Sequence, residues 1–170
     1  MSAVSHQRTF GADLEHVVDA GELFRGNLAL GGIPPTIGFG AAAMRTYHGS
    51  CHCGVVKFEV DADLSRLGRC NCSICGKQGG LFIRVPPAQF RLLEGDGELA
   101  IYRFNTMMAE HFFCKHCGMH PFRHPRSGPE LYLVNVRCLD DFDLETEKYE
   151  VNLFDGRNWE TADAARKEGS

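Results

Sequence analysis

The chain has 170 residues, and none of its apolar runs approaches the roughly 18 residues needed to span a bilayer. Its first residues show neither the charged start nor the apolar core of a secretory signal peptide. Positive charge is also short: 18 Lys and Arg face 22 Asp and Glu, for a net charge of −4. No basic field exists to attract nucleic acid or an anionic membrane. No internal repeat is visible, and patterns of helical period are scarce. These absences predict a cytoplasmic protein whose partners include neither nucleic acid nor membrane. A hydrophobic fraction of 44% fits one folded domain of ordinary composition.

Cysteine is missing from residues 1–43, which end in a run rich in glycine, proline and alanine from Gly31 to Ala43. The run has neither a period of 2 nor of 3.6 and reads as linker. Before it, Asp13 is placed to cap a short helix with Leu14, Val17 and Val18 on one side. The acidic residues Asp13, Glu15, Asp19 and Glu22 argue against a mitochondrial transit peptide. The organisation expected is an N-terminal extension over 1–43, peripheral or flexible, a cysteine-bearing domain over 44–160, and a C-terminal tail over 161–170. Met44 is a candidate functional start.

From Met44 the chain reads as short strands joined by turns. Val56, Phe58 and Val60 alternate with Lys57 and Glu59, the pattern of a half-buried strand. Strands are also expected over 81–85, 90–93, 99–104, 110–113, 131–136 and 149–151, with a turn at Glu94-Gly95-Asp96-Gly97. A helical turn or two is expected near Pro87 to Phe90 or after Asp140. Short strands separated by glycine and proline turns predict a mainly β domain.

Seven of the eight cysteines lie in three tight groups: Cys51-His52-Cys53, Cys70-Asn71-Cys72-Ser73-Ile74-Cys75 and Cys114-Lys115-His116-Cys117. A glycine follows each, at Gly54, Gly76 and Gly118, and can supply the positive φ of a sharp turn around a bound atom. Paired sulfurs at this spacing suit a zinc knuckle, in which both must lie about 2.3 Å from the metal. Outside an oxidising compartment, such pairs are more often ligands than disulfides. Cys51, Cys53, Cys114 and Cys117 together close a tetrahedral zinc and leave no position for chemistry, which describes a structural site. Cys70, Cys72 and Cys75 leave a fourth position open. A zinc held by three thiolates prefers a soft fourth ligand, and a thiol bound there beside an aldehyde carbonyl has the elements of thiohemiacetal formation or its reversal. The trio has a structural reading too, completed by Cys138, an Asp, a His or water, and spacing alone leans that way because most cysteine-rich zinc sites are structural. An iron site of the rubredoxin kind fits the C-x-C pairs poorly.

The segments HGSCHCGVVKFEV, CNCSICGKQGG, FNTMMAEHFFCKHCGMHPFRHPRSGP and YLVNVRCLDD resemble the glutathione-dependent formaldehyde-activating enzyme family, and more closely its branch that includes centromere protein V. The resemblance covers about residues 47–160 and implies an Mss4-like, zinc-binding, mainly β fold with few short helices. It implies two Zn2+ per chain, with Cys51, Cys53, Cys114 and Cys117 as structural ligands and Cys70, Cys72 and Cys75 around the catalytic zinc. The activity implied is that of a carbon–sulfur lyase acting on thiol–aldehyde adducts such as S-hydroxymethylglutathione, with a glutathione-like thiol and an aldehyde as small-molecule partners. The alternative is a noncatalytic zinc-binding module for protein interaction on the same fold.

Other residues stand near these groups in sequence. Arg69, Lys77, Arg84, Arg103, Lys115, Arg123 and Arg137 are candidates to meet the carboxylates of a glutathione-like thiol, each with a solvated surface charge as the plain alternative. His111, His116, His120 and His124 are candidates for a ligand or proton relay, or else turn and surface residues. Cys138 reads as a buried, inert thiol. Phe112, Phe113, Phe122, Tyr132, Phe154 and Trp159 suit either a pocket wall or the core. Lys77-Gln78-Gly79-Gly80 either admits a substrate closely or merely finishes a turn.

Overall fold

The computed structural model describes residues 17–19 and 44–168. Its strands are β1 (Val17–Asp19), β2 (Arg45–Ser50), β3 (Lys57–Ala62), β4 (Arg66–Cys70), β5 (Phe82–Val85), β6 (Phe90–Glu94), β7 (Leu99–Tyr102), β8 (Glu110–Cys114), β9 (Phe122–His124), β10 (Tyr132–Asn135) and β11 (Glu150–Phe154). Two α-helices accompany them, α1 (Cys75–Gln78) and α2 (Trp159–Glu168). One sheet runs in the order β1-β7-β8-β9-β10-β5-β4-β11 and the other in the order β2-β3-β6. This is the mainly β, Mss4-like architecture expected. No described helix is long and apolar enough to cross a membrane.

The alternation in β3 does what its pattern requires: Phe58 and Val60 are fully buried, while Lys57 is exposed. Phe58 and Phe90 of the small sheet meet Phe122 and Tyr132 of the large one, with Phe90–Phe122 centroids 4.8 Å apart and Phe90–Tyr132 4.2 Å, and Phe112 packs on Phe122 at 5.0 Å. The core is therefore the aromatic layer between the two sheets. Burying each such ring stabilises the fold by roughly 1.5–3 kcal/mol. The same packing brings the ends of two hairpins together. The β2–β3 pairing closes at Ser50↔Lys57 and leaves Cys51–Val56 as its turn, and the chain between β8 and β9 carries Cys117.

Side chains alternate across a strand. With Phe112, Phe122 and Val134 turned to the core, their neighbours His111, Arg123 and Leu133 stand on the opposite face of the large sheet. Cα registry lines them up as His111↔Arg123, Arg123↔Leu133 and Leu133↔Arg84. His111 and Arg123 are nevertheless buried, because the middle cysteine group lies over them.

Several expectations need correction. Val17 and Val18 form a strand paired antiparallel with β7 rather than one side of a helix; Asp13, Leu14 and the run Gly31 to Ala43 lie outside the described residues. Strands β2, β4 and β9 join those read from the sequence. The helical turn near Pro87 is a short 3-10 segment, Pro87–Gln89, and after Asp140 the chain makes turns without a helix. Of the segment read as a solvated tail from residue 161, residues 161–168 belong to α2. That helix has no apolar stripe; Asp163 is buried in it with Arg166 and Lys167 as ion partners, and Arg126 stacks on Trp159 at 3.7 Å. Gly54 and Gly118 do adopt positive φ, 77° and 70°, but Gly76 lies inside α1 and the left-handed turn comes three residues later, at Gly79.

Candidate metal centres

The first and third cysteine groups meet. The sulfurs of Cys51, Cys53, Cys114 and Cys117 all lie within 4.8 Å of one another, with Cys51–Cys53 at 3.4 Å and Cys53–Cys114 at 3.7 Å. Sulfurs around one tetrahedral zinc stand roughly 3.8 Å apart, so the set fits such an ion. Each knuckle is closed by its own backbone: Gly54 N–H donates to Cys51 O and Gly118 N–H to Cys114 O, both at 2.9 Å. The Val56 N–H also donates to Cys51 Sγ at 3.3 Å. Cys51 and Cys114 are buried against the core, which makes this group a joint between the two sheets.

The sulfurs of Cys70, Cys72 and Cys75 form a second group, again within 4.8 Å of one another. Cys70 ends β4 and Cys75 begins α1. Hydrogen bonding from Cys70 and Cys75 holds the Cys72 thiol far below its usual range, and the same exchange drives Cys75 far above it. Three thiols this close share their protons around one thiolate, and a divalent cation is the natural replacement for those protons. No histidine, carboxylate or further cysteine joins either group among the described residues.

The chain's last strand builds a wall for the trio. β11 runs parallel to β4 until Phe154 stands beside Cys70. Beyond it, Asn71 Nδ2 donates to Asp155 Oδ1 at 2.8 Å, and Arg157 N–H donates to Asn71 Oδ1 at 3.1 Å. Gly156 then passes so close that a Cβ there would sit 2.5 Å from Cys70 Sγ and 2.8 Å from Cys72 Cβ. Sequence reading missed Asn71 and Gly156; the only signal was Asn71 lying between two cysteines.

On the sheet side, Arg123 is 7% exposed and its Nη1 donates to Cys75 Sγ at 2.7 Å. Its guanidinium carbon lies 3.8 Å above the centre of the Phe82 ring. Four of the seven cations considered from sequence are engaged elsewhere. Arg84 reaches Ser127, Arg103 pairs with Glu110, Lys115 donates to Gly97 O, and Arg137 donates to Gly79 O. Arg123 reaches a cysteine sulfur.

The other candidates take quieter places. His111 is 4% exposed, and burial pushes its imidazole down to about 4, with Arg123 adding to the effect. His116 is exposed and pairs with Glu98, while His124 Nδ1 donates to Leu131 O. His120 packs beside Phe113. Cys138 is buried, its thiol pushed up to about 12 by desolvation, as an inert core cysteine should be. Phe112, Phe122 and Tyr132 belong to the core rather than a pocket, and Gly79 ends α1.

Fold and sulfur groups together define a β domain of the Mss4-like type with two candidate metal centres. The model of the family described as glutathione-dependent formaldehyde-activating enzyme matches residues 46–155. A proposed glutathione-dependent formaldehyde-activating enzyme from Halomonas elongata is 30% identical over 121 residues, covering 65% of this chain and 77% of the relative. A crystal structure of a Rhodobacter sphaeroides protein, 32% identical, aligns with a TM-score of 0.57 over 62% of this chain and 99% of that one. The chain belongs to the glutathione-dependent formaldehyde-activating enzyme family. The matched span stops one residue before Gly156.

Proposed function

We propose that the protein is a zinc-dependent carbon–sulfur lyase that makes or breaks thiol–aldehyde adducts of the S-hydroxymethylglutathione kind. Family membership supports an enzyme of this class, and the uneven division of seven sulfurs into a set of four and a set of three supports the rest. The four-sulfur set would hold a structural zinc. Cys70, Cys72 and Cys75 would hold the second, leaving room for one ligand. Zinc there supplies an acceptor for a soft ligand and lowers the proton affinity of a thiol bound to it.

Around that position the chain's own groups are organised for orientation rather than proton traffic. Asn71, held by Asp155 and Arg157, fixes the loop that carries Cys70 and Cys72. Gly156 lets the wall approach without displacing those sulfurs. Arg123 anchors Cys75, and His111 behind it stays neutral through the working range. In the adduct-forming direction the thiolate's electron pair makes the carbon–sulfur bond while the carbonyl oxygen gains a proton. In reverse, the hydroxyl loses that proton, the carbonyl re-forms and sulfur leaves with the pair. Both reactants are small molecules met in the cytoplasm, and residues 44–160 carry both sulfur groups.

The test is an NMR exchange measurement with full-length, zinc-loaded protein and a panel of thiols and aldehydes that includes glutathione and formaldehyde. Acceleration of adduct exchange that disappears in Cys72→Ser supports the proposal. Unchanged exchange with every pair sinks it in favour of a noncatalytic zinc module.

A further inference from the structure

A buried arginine needs a compensating partner, because an unpaired charge taken out of water is costly. Among the described residues, the partner the structure gives Arg123 is a sulfur rather than a carboxylate: Nη1 to Cys75 Sγ, 2.7 Å. Cys75 is itself 5% exposed, so the contact lies where water screens it poorly. The guanidinium cannot swing away, since its flat face rests on Phe82 and its strand is paired on both sides, to His111 of β8 and Leu133 of β10. Arginine stays charged at any accessible pH.

From this arrangement we infer that Arg123 is a positioning residue that fits the three-sulfur centre to an anionic thiolate as its fourth ligand. The inference rests on the assignment of a metal to Cys70, Cys72 and Cys75. Three thiolates and one divalent ion carry a net charge of about −1. A fourth thiolate entering such a site would meet like charge. Arg123 brings the assembly to neutrality before the ligand arrives. Its hydrogen bond also draws electron density from the Cys75 sulfur, which leaves the metal more electron-poor and more receptive to a soft donor. A lysine offers the charge as a single point; the arginine plane, stacked on Phe82, keeps one N–H aimed at sulfur.

The experiment uses full-length protein with zinc retained in the four-sulfur set and Co(II) supplied to the three-sulfur set. It compares wild type with Arg123→Met, Arg123→Gln and Arg123→Lys. Loss of the hydrogen bond in Arg123→Met is expected to move the sulfur-to-cobalt charge-transfer band to lower energy. Loss of the charge should weaken glutathione or 2-mercaptoethanol binding to the cobalt centre, followed by the same spectrum at pH 7, by roughly tenfold or more. Arg123→Lys should recover most of that affinity. Should Arg123→Met fail to fold, Arg123→Gln serves as the neutral variant for the affinity criterion. A neutral variant that keeps the wild-type thiol affinity overturns the inference and leaves the metal assignment standing. Wild-type protein whose trio takes no cobalt, judged against Cys72→Ser, overturns both.

Discussion

Asn71 and Asp155 stand 84 positions apart and share a 2.8 Å hydrogen bond between side chains. That bond fastens the loop of the three-sulfur group to the end of β11 and brings Gly156 against Cys70 and Cys72. The backbone at 155–157 thus sets how far apart those two sulfurs can be.

Gly156→Ala puts a methyl group 2.5 Å from Cys70 Sγ, closer than atoms tolerate. Relief requires a shift of the loop or the wall, at a cost of roughly 1–3 kcal/mol. The variant should stay folded, keep one tightly bound zinc and lose the second, with activity falling alongside. Metal analysis after dialysis against a mild chelator measures this.

Cys117→Ser and Cys72→Ser should behave oppositely. Removing a sulfur from the four-sulfur joint deprives the fold of binding energy that links the two sheets, so Cys117→Ser should be unfolded or melt far below wild type. Cys72→Ser should melt close to wild type with one zinc instead of two. Circular dichroism and metal content, read on the same samples, check the pair.

His111 predicts an acid-side loss of stability. Its folded-state value is about 4, against an ordinary value near 6.5, because burial disfavours the charged ring, with Arg123, His120 and Cys72 as charged or titratable neighbours. Below about pH 6.5 the unfolded chain takes up a proton that the folded chain resists, so the stabilisation present above that pH fades on the way to about 4. The full effect is on the order of 3 kcal/mol. Denaturant unfolding at pH 7 and 4.5 should show His111→Leu losing less stability than wild type over this interval. Titrations of groups not coupled to His111 are common to both proteins and cancel in the difference.

Phe122 touches Phe58, Phe90, Phe112 and Tyr132, so it bridges the two sheets within the aromatic layer. Phe122→Ala should cost about 3–5 kcal/mol, measured as a shift in the denaturant midpoint with its slope unchanged.

How much of this could be read beforehand depended on the range of the interaction. The seven sulfurs were legible because knuckle spacing is local, and β3 was legible because Phe58 and Val60 alternate with polar neighbours. β2 was not: Arg45-Thr46-Tyr47-His48-Gly49-Ser50 offers little apolar surface and is held by its register with β3. Helix α2 was hidden for a related reason, since its anchors are a buried carboxylate and a stacked cation rather than an apolar face. Arg123 stood in a group of seven cations with nothing local to single it out. What distinguishes it is a contact across 48 positions. Val17 and Val18 carry no decisive period, and pairing with β7 sets their conformation.

The parallel seam between β4 and β11 also imposes an order on synthesis. As the chain leaves the ribosome, the residues of the four-sulfur joint are all available once position 117 has emerged, and the aromatic layer between the sheets is complete once Tyr132 has followed. The trio has its sulfurs earlier still but must wait for residues 150–157 to be translated before its wall exists. A nascent protein therefore passes through a stage in which the joint between the sheets can close while the three-sulfur group still lacks its wall.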